Sequence, residues 1–164
     1  MPQSECYHPS TITQFSTAIL FLFLLYASTK DMASKTIPIH LVPVCLLFTT
    51  IDLIMNQSPA GLLLRLIIAA GIFLLLCLIS RFFGLGGGDI IVISIILLEH
   101  GLCFAMLAMG IGCILTTIYT VLRHIIKRSS PFSQDEECPL VPGITIAYTI
   151  LLFAKELSIW HPIL

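Results

Sequence analysis

The chain alternates long, unbroken apolar runs with short polar breaks, and this pattern restricts what it can fold into more than any other feature. Ile67–Ile79, for example, carries no charged residue. A bilayer core about 30 Å thick is crossed by roughly 20 helical residues. Within lipid the backbone must satisfy its own N–H and C=O groups, which only helices and closed barrels do. Barrel strands alternate apolar and polar residues, and these runs do not. Charged residues make up 10% of the chain and hydrophobic ones 57%. Soluble domains are about 25% charged, and a water-facing surface needs that charge to stay dispersed. The pattern predicts an all-α polytopic membrane protein of about six transmembrane helices, a single membrane-embedded unit over residues 1–164, with no soluble domain.

The expected spans are about 12–28, 37–55, 59–79, 89–99, 102–122 and 141–157. Met1–Ser10 is a polar lead. No Lys or Arg precedes Lys30, and Ala27-Ser28-Thr29 gives no clear cleavage triplet, so the first run reads as a span and not a signal peptide. Pro38 suits the first turn of the second span, and Pro43, deeper in it, is expected to kink it. Ser58 is a candidate cap for the third span. The fourth apolar run, Ile90–Leu98, covers about half a bilayer unless the preceding glycines also sit at membrane depth. Glu99-His100-Gly101 reads as an outer loop closing it.

Lys and Arg set orientation. Lys30, Lys35, Arg81, Arg123, Lys127 and Arg128 fall in loops that share one side if there are six spans, leaving only Arg65 and Lys155. That side is expected to be cytoplasmic, with both termini outside. Five spans would put the Arg123–Arg128 cluster outside.

Several functions are disfavoured. A net charge of −1 leaves no basic face to neutralise phosphates, so no nucleic-acid partner is expected. Cys6, Cys45, Cys77, Cys103, Cys113 and Cys138 form no C-x-x-C pair and read as small buried apolar residues. Glu99 and His100 lack further residues at ligand spacing, so no metal is expected, nor any cofactor. No Ser-His-Asp arrangement, Walker motif or dinucleotide motif occurs. Asp135-Glu136-Glu137 reads as a solvated loop, His40 and His124 as interfacial. Asp52 and Arg65, at similar depth on neighbouring spans, are expected to form an ion pair, or else to reach the interface separately.

Two carboxylates remain. Asp89 follows three glycines and opens an apolar helix, where as N-cap it would accept free N–H groups. A plain capping turn is the alternative. Asp31 lies near the C-terminal end of the first span, where helix carbonyls disfavour a carboxylate. An interfacial polar residue beside Lys30 and Lys35 is the alternative. The predicted topology puts both on one side. Two carboxylates brought together do not both ionise easily and share a proton. The charged one then acts as general base on water, and the protonated one polarises a peptide carbonyl. Their different helix ends favour charge on Asp89 and the proton on Asp31.

Gly86-Gly87-Gly88-Asp89 resembles the G-x-G-D signature of membrane aspartyl proteases. Asp31, followed six and seven residues later by Ile37-Pro38, resembles the other aspartate motif of the type IV prepilin leader peptidases. The chain departs from that pattern at Ile39, where Asn is usual, and at Ile91, where Lys is common. It lacks the cytoplasmic methyltransferase region with paired C-x-x-C motifs, so it looks like a short form and N-methylation is not expected. The resemblance implies a membrane aspartic endopeptidase with Asp31 and Asp89 catalytic. Gly86 and Gly88 would support substrate binding. The implied partners are prepilin-like proteins anchored in the bilayer, whose basic leaders are removed at the cytoplasmic face in type IV pilus or secretion systems. A proton-coupled transporter or channel using the same carboxylates, and a non-catalytic assembly subunit, are the rival readings.

Overall fold

The computed structural model describes residues 11–34, 36–83, 86–127 and 140–156. Among them are six α-helices and no strand: α1 (Thr11–Ser34), α2 (Val42–Asn56), α3 (Pro59–Phe83), α4 (Gly87–His100), α5 (Leu102–Lys127) and α6 (Val141–Glu156), with a 3-10 turn at Ile39–Leu41 before α2. Stretches of α1, α3 and α5, and the 3-10 turn taken with α2, are long and apolar enough to cross a membrane. The all-α reading of the sequence therefore holds.

The helices divide by environment. α3 is apolar over most of its length, and Leu63, Leu64, Ile67, Leu74, Leu75 and Leu78 point outward from the bundle, where lipid tails are an adequate solvent for them. α4 is the opposite case. It has 14 residues, about 21 Å at 1.5 Å per residue, yet Ile90, Val92, Ile93, Ile95, Ile96 and Leu97 are all buried. It packs against α1, α2, α3 and α5, so a helix too short to span alone is shielded by its neighbours. Gly101 joins α4 to α5 in a single residue. Its φ of 87° lies where side chains are rarely tolerated, and its N–H returns to the Leu97 carbonyl at 2.9 Å.

α6 packs on α5 and α1. A Cβ on Gly143 would collide with Thr116 Oγ1 and the Gly112 carbonyl, so the backbones of α5 and α6 approach closely, as small residues allow in a membrane. Thr145 Oγ1 donates to the Leu24 carbonyl at 3.3 Å, tying α6 to α1.

The second helix starts later than its apolar run suggested. Residues 36–38 are non-helical, Leu41 N–H reaches the Pro38 carbonyl at 3.0 Å, and the α-helix begins at Val42, with Pro43 in its first turn. Pro43 therefore opens the helix instead of kinking it, because its missing N–H is an orphan there in any case. Ser58 caps α3 as expected, accepting from Gly61 N–H at 3.3 Å.

Glu99 and His100 are not in a loop. They form the last turn of α4 and turn inward. Ser16 and Thr17 of α1 donate to Glu99 Oε1, and His100 Nε2 lies 2.8 Å from the Tyr148 hydroxyl. Asp52 does not pair with Arg65. It accepts from Thr13 Oγ1 at 2.8 Å and Asn56 Nδ2 at 2.7 Å, while Arg65 donates to the Leu98 carbonyl at 3.5 Å. Two short, neutral donors reach Asp52, one from α1 and one from the next turn of α2, while the guanidinium is directed at α4. Cys103 and Cys113 face outward and Cys77 is half-buried; Cys45 is the buried one. Apolar surroundings in this protein include lipid, so an apolar run does not by itself bury a cysteine in protein. Cys6, Cys138, Asp135, Glu136 and Glu137 lie outside the described residues, as does the side chain of His124.

Candidate functional site

On α1 the residues Leu20, Leu24 and Ala27 are almost completely buried, and their spacing marks one face of the helix. Asp31 continues that stripe. The helix runs on to Ser34, so Asp31 sits within its final turns, 9% exposed. An acid on the inward stripe is costly unless something there answers it. The answer comes from a helix more than a hundred residues away: the Val141 backbone N–H donates to Asp31 Oδ2 at 3.3 Å. Val141 is fully buried and is the first residue of α6. A helix N-terminus carries unpaired N–H groups and partial positive charge. Asp31 thus has the wrong end of its own helix beside it and the right end of another.

Asp89 belongs to the opening turn of α4. The helix starts two residues earlier than expected, at Gly87, with Gly86 as N-cap in extended conformation (φ −64°, ψ 140°). Asp89 is therefore the third helical residue and not the cap. Its carboxylate turns back to accept from the Gly86 N–H, which is the acidic half of a capping box. The first-turn position satisfies the carboxylate equally well, and it leaves Gly86 directly beneath Oδ2, where a Cβ would stand 3.1 Å away.

The two acids converge. Asp31 and Asp89 are close enough for the charge of one to act on the other. Because both meet helix N-termini, the expected asymmetry between a helix start and a helix end does not separate them.

The glycines have specific neighbours. Gly86 makes room for the Asp89 carboxyl. Gly88 is pressed against Ile37: a Cβ there would collide with Ile37 Cδ1 and stand 2.8 Å from Cγ1. The two sequence motifs are thereby in physical contact, with the Ile-Pro segment against the glycine turn. Pro38 is buried and Ile39 exposed. A cavity of about 310 Å³ opens between Tyr26 and Lys30 on α1 and residues 36–40, bounded by the same Ile37.

Sequence reasoning found both acids but missed Val141, because a backbone N–H has no residue type to read. The available signal was Pro142, which marks a helix start on the side where the acids lie.

Over residues 18–121 the chain matches the type IV leader peptidase family. That stretch includes both aspartates, Ile37-Pro38 and the glycine turn. No curated protein and no solved structure matches the chain.

Proposed function

Since this chain belongs to the type IV leader peptidase family, we propose that it is a membrane aspartic endopeptidase in which Asp31 and Asp89 cleave short basic leaders from prepilin-like proteins at the cytoplasmic membrane face. The observation that carries this reading is that Asp31 of α1 and Asp89 of α4 lie within electrostatic reach of each other, with their two motifs in contact through Ile37 and Gly88. Two such groups hold one proton between them. The ionised member takes a proton from water as the water attacks the scissile carbonyl carbon. The protonated member hydrogen-bonds the carbonyl oxygen as negative charge develops there, and a proton returns to the leaving nitrogen. The pair titrates as a unit with two macroscopic values. Cleavage should therefore fall at low pH, where both are protonated, and at high pH, where neither is.

The cytoplasmic assignment rests on the crowding of Lys and Arg at that end of the spans, Lys30, Arg81, Arg123 and Lys127 among them. A prepilin-like substrate has positive charge ahead of an apolar helix. Its scissile bond would then meet the acids at the membrane boundary, and their charge would attract the leader.

The test is co-expression with a prepilin-like protein and mass spectrometry of the product. Loss of the leader with the parent chain, and retention with Asp31→Asn or Asp89→Asn, is expected. Full processing by both variants would refute the assignment.

A further inference from the structure

The first turn of α6 does more than complete the bundle. Asp31 sits on the inward stripe of α1, and its charge reaches Asp89. Its Oδ2 is held by a donor outside α1, the backbone N–H of Val141, at 3.3 Å. That donor is itself immobilised. Val141 is fully buried, the Ile144 N–H closes the first turn onto the Leu140 carbonyl at 3.1 Å, and Thr145 bonds both the Val141 and Leu24 carbonyls. Pro142, the next residue, has no N–H and its φ is preset for a helix start. Gly143 then lets α6 press against α5 at backbone distance. Each feature fixes where the Val141 N–H points.

We propose that the Val141 backbone N–H is a positioning group of the active site, orienting the Asp31 carboxyl toward Asp89 through the N-terminus of α6. The proposal rests on the peptidase reading for its catalytic consequence, but the contact itself does not depend on it. The matched family region ends at residue 121, so the group lies outside the part of the chain that carries the family motifs. Whatever displaces Val141 therefore acts on Asp31 directly.

Val141→Pro removes the N–H while keeping a residue that helix starts favour, and Leu140, just before it, is already non-helical, as a residue before proline prefers. Val141→Ala retains the N–H and trims only the side chain. In proteoliposomes with the full chain and a prepilin-like substrate, Val141→Pro is expected to lower kcat about 10- to 100-fold with little change in KM, the pattern of a misplaced catalytic group. Val141→Ala is expected to stay within about threefold of the parent kcat. Equal losses in the two variants, or parental kcat in Val141→Pro, would overturn the proposal.

A second measurement needs neither activity nor the proline variant. In detergent-solubilised protein, Asp31→Ala is expected to speed amide hydrogen exchange at Val141 at least about tenfold while leaving Ile144 unchanged, since the Ile144 bond is intrahelical. Unchanged exchange at Val141 would remove the contact. If the parent chain cleaves no prepilin yet Val141 responds in this way, the peptidase reading fails and the positioning contact stands.

Discussion

The two ends of the bundle both bury carboxylates, and they treat them differently. At one end Glu99 accepts from Ser16 and Thr17, and Asp52 from Thr13 and Asn56. These partners are short neutral side chains, and each acid is answered by its own set. At the other end Asp31 and Asp89 are answered by backbone N–H groups at the starts of two helices, α6 and α4, and lie within reach of each other's charge. Side-chain donors hold one oxygen of each acid in place, Oε1 of Glu99 and Oδ1 of Asp52. Backbone donors at helix starts steady one oxygen and leave the acids near enough to couple. The first arrangement joins α1 to α2 and α4; the second joins α1 to α6 and leaves Asp31 within reach of Asp89 on α4. A buried polar group in a membrane bundle is therefore classified better by what answers it than by its burial.

The largest expected effect concerns the coupled end. Asp31→Asn or Asp89→Asn should lower leader cleavage by about a thousandfold or more, and the double variant should be no worse than either single one, because the acids act as a unit. Multiplying losses would show that they act separately and would dissolve the contrast between the ends.

Next in size is the contact between the motifs. Gly88→Ala drives a methyl group into Ile37 and should cost about 1–3 kcal/mol, as overpacking does, with cleavage falling about tenfold or more as Asp89 shifts. Adding Ile37→Ala should restore thermal stability and much of the cleavage. Failure of the second change to rescue the first would mean that the glycine serves something other than this packing.

At the uncoupled end the effect should fall on stability alone. Glu99→Ala takes the carboxylate from the buried Ser16 and half-buried Thr17 hydroxyls and should cost about 1–2 kcal/mol, read as a lower unfolding temperature in detergent, with the kcat of the surviving folded protein unchanged. A selective loss of cleavage would show that the two ends communicate.

The smallest effect sharpens the description of Asp52. Asp52→Asn keeps an acceptor for Thr13 and should cost under about 1 kcal/mol. Combined with Arg65→Gln, the effects should add within about 0.5 kcal/mol, as independent sites do. Clear coupling would restore the ion pair.

The site was only partly legible before folding. Asp31 and Asp89 stand out because an acid beside an apolar run needs a reason, and Ser58 because capping is local chemistry. The cap lies three residues before Asp89, at Gly86, and was not legible there, since three consecutive glycines give no side chain by which to locate a helix start. The inward turn of Glu99 and His100 was hidden because a polar pair beside a glycine reads as a loop unless its partners, Ser16, Thr17 and Tyr148, are known.

By itself the sequence determined the class of the protein. Apolar runs of bilayer length must be helices in lipid, and the two short motifs around Asp31 and Asp89 lie within the stretch that matches the family. Those are properties of neighbouring residues, and the chain carries them in any conformation. The tertiary structure alone decided that α4 is the enclosed helix, that Ile37 abuts Gly88, and that Asp31 is met by the start of α6. Each of these is a contact between backbone or apolar atoms far apart in the chain, and such a contact depends on helix packing that no single residue type encodes.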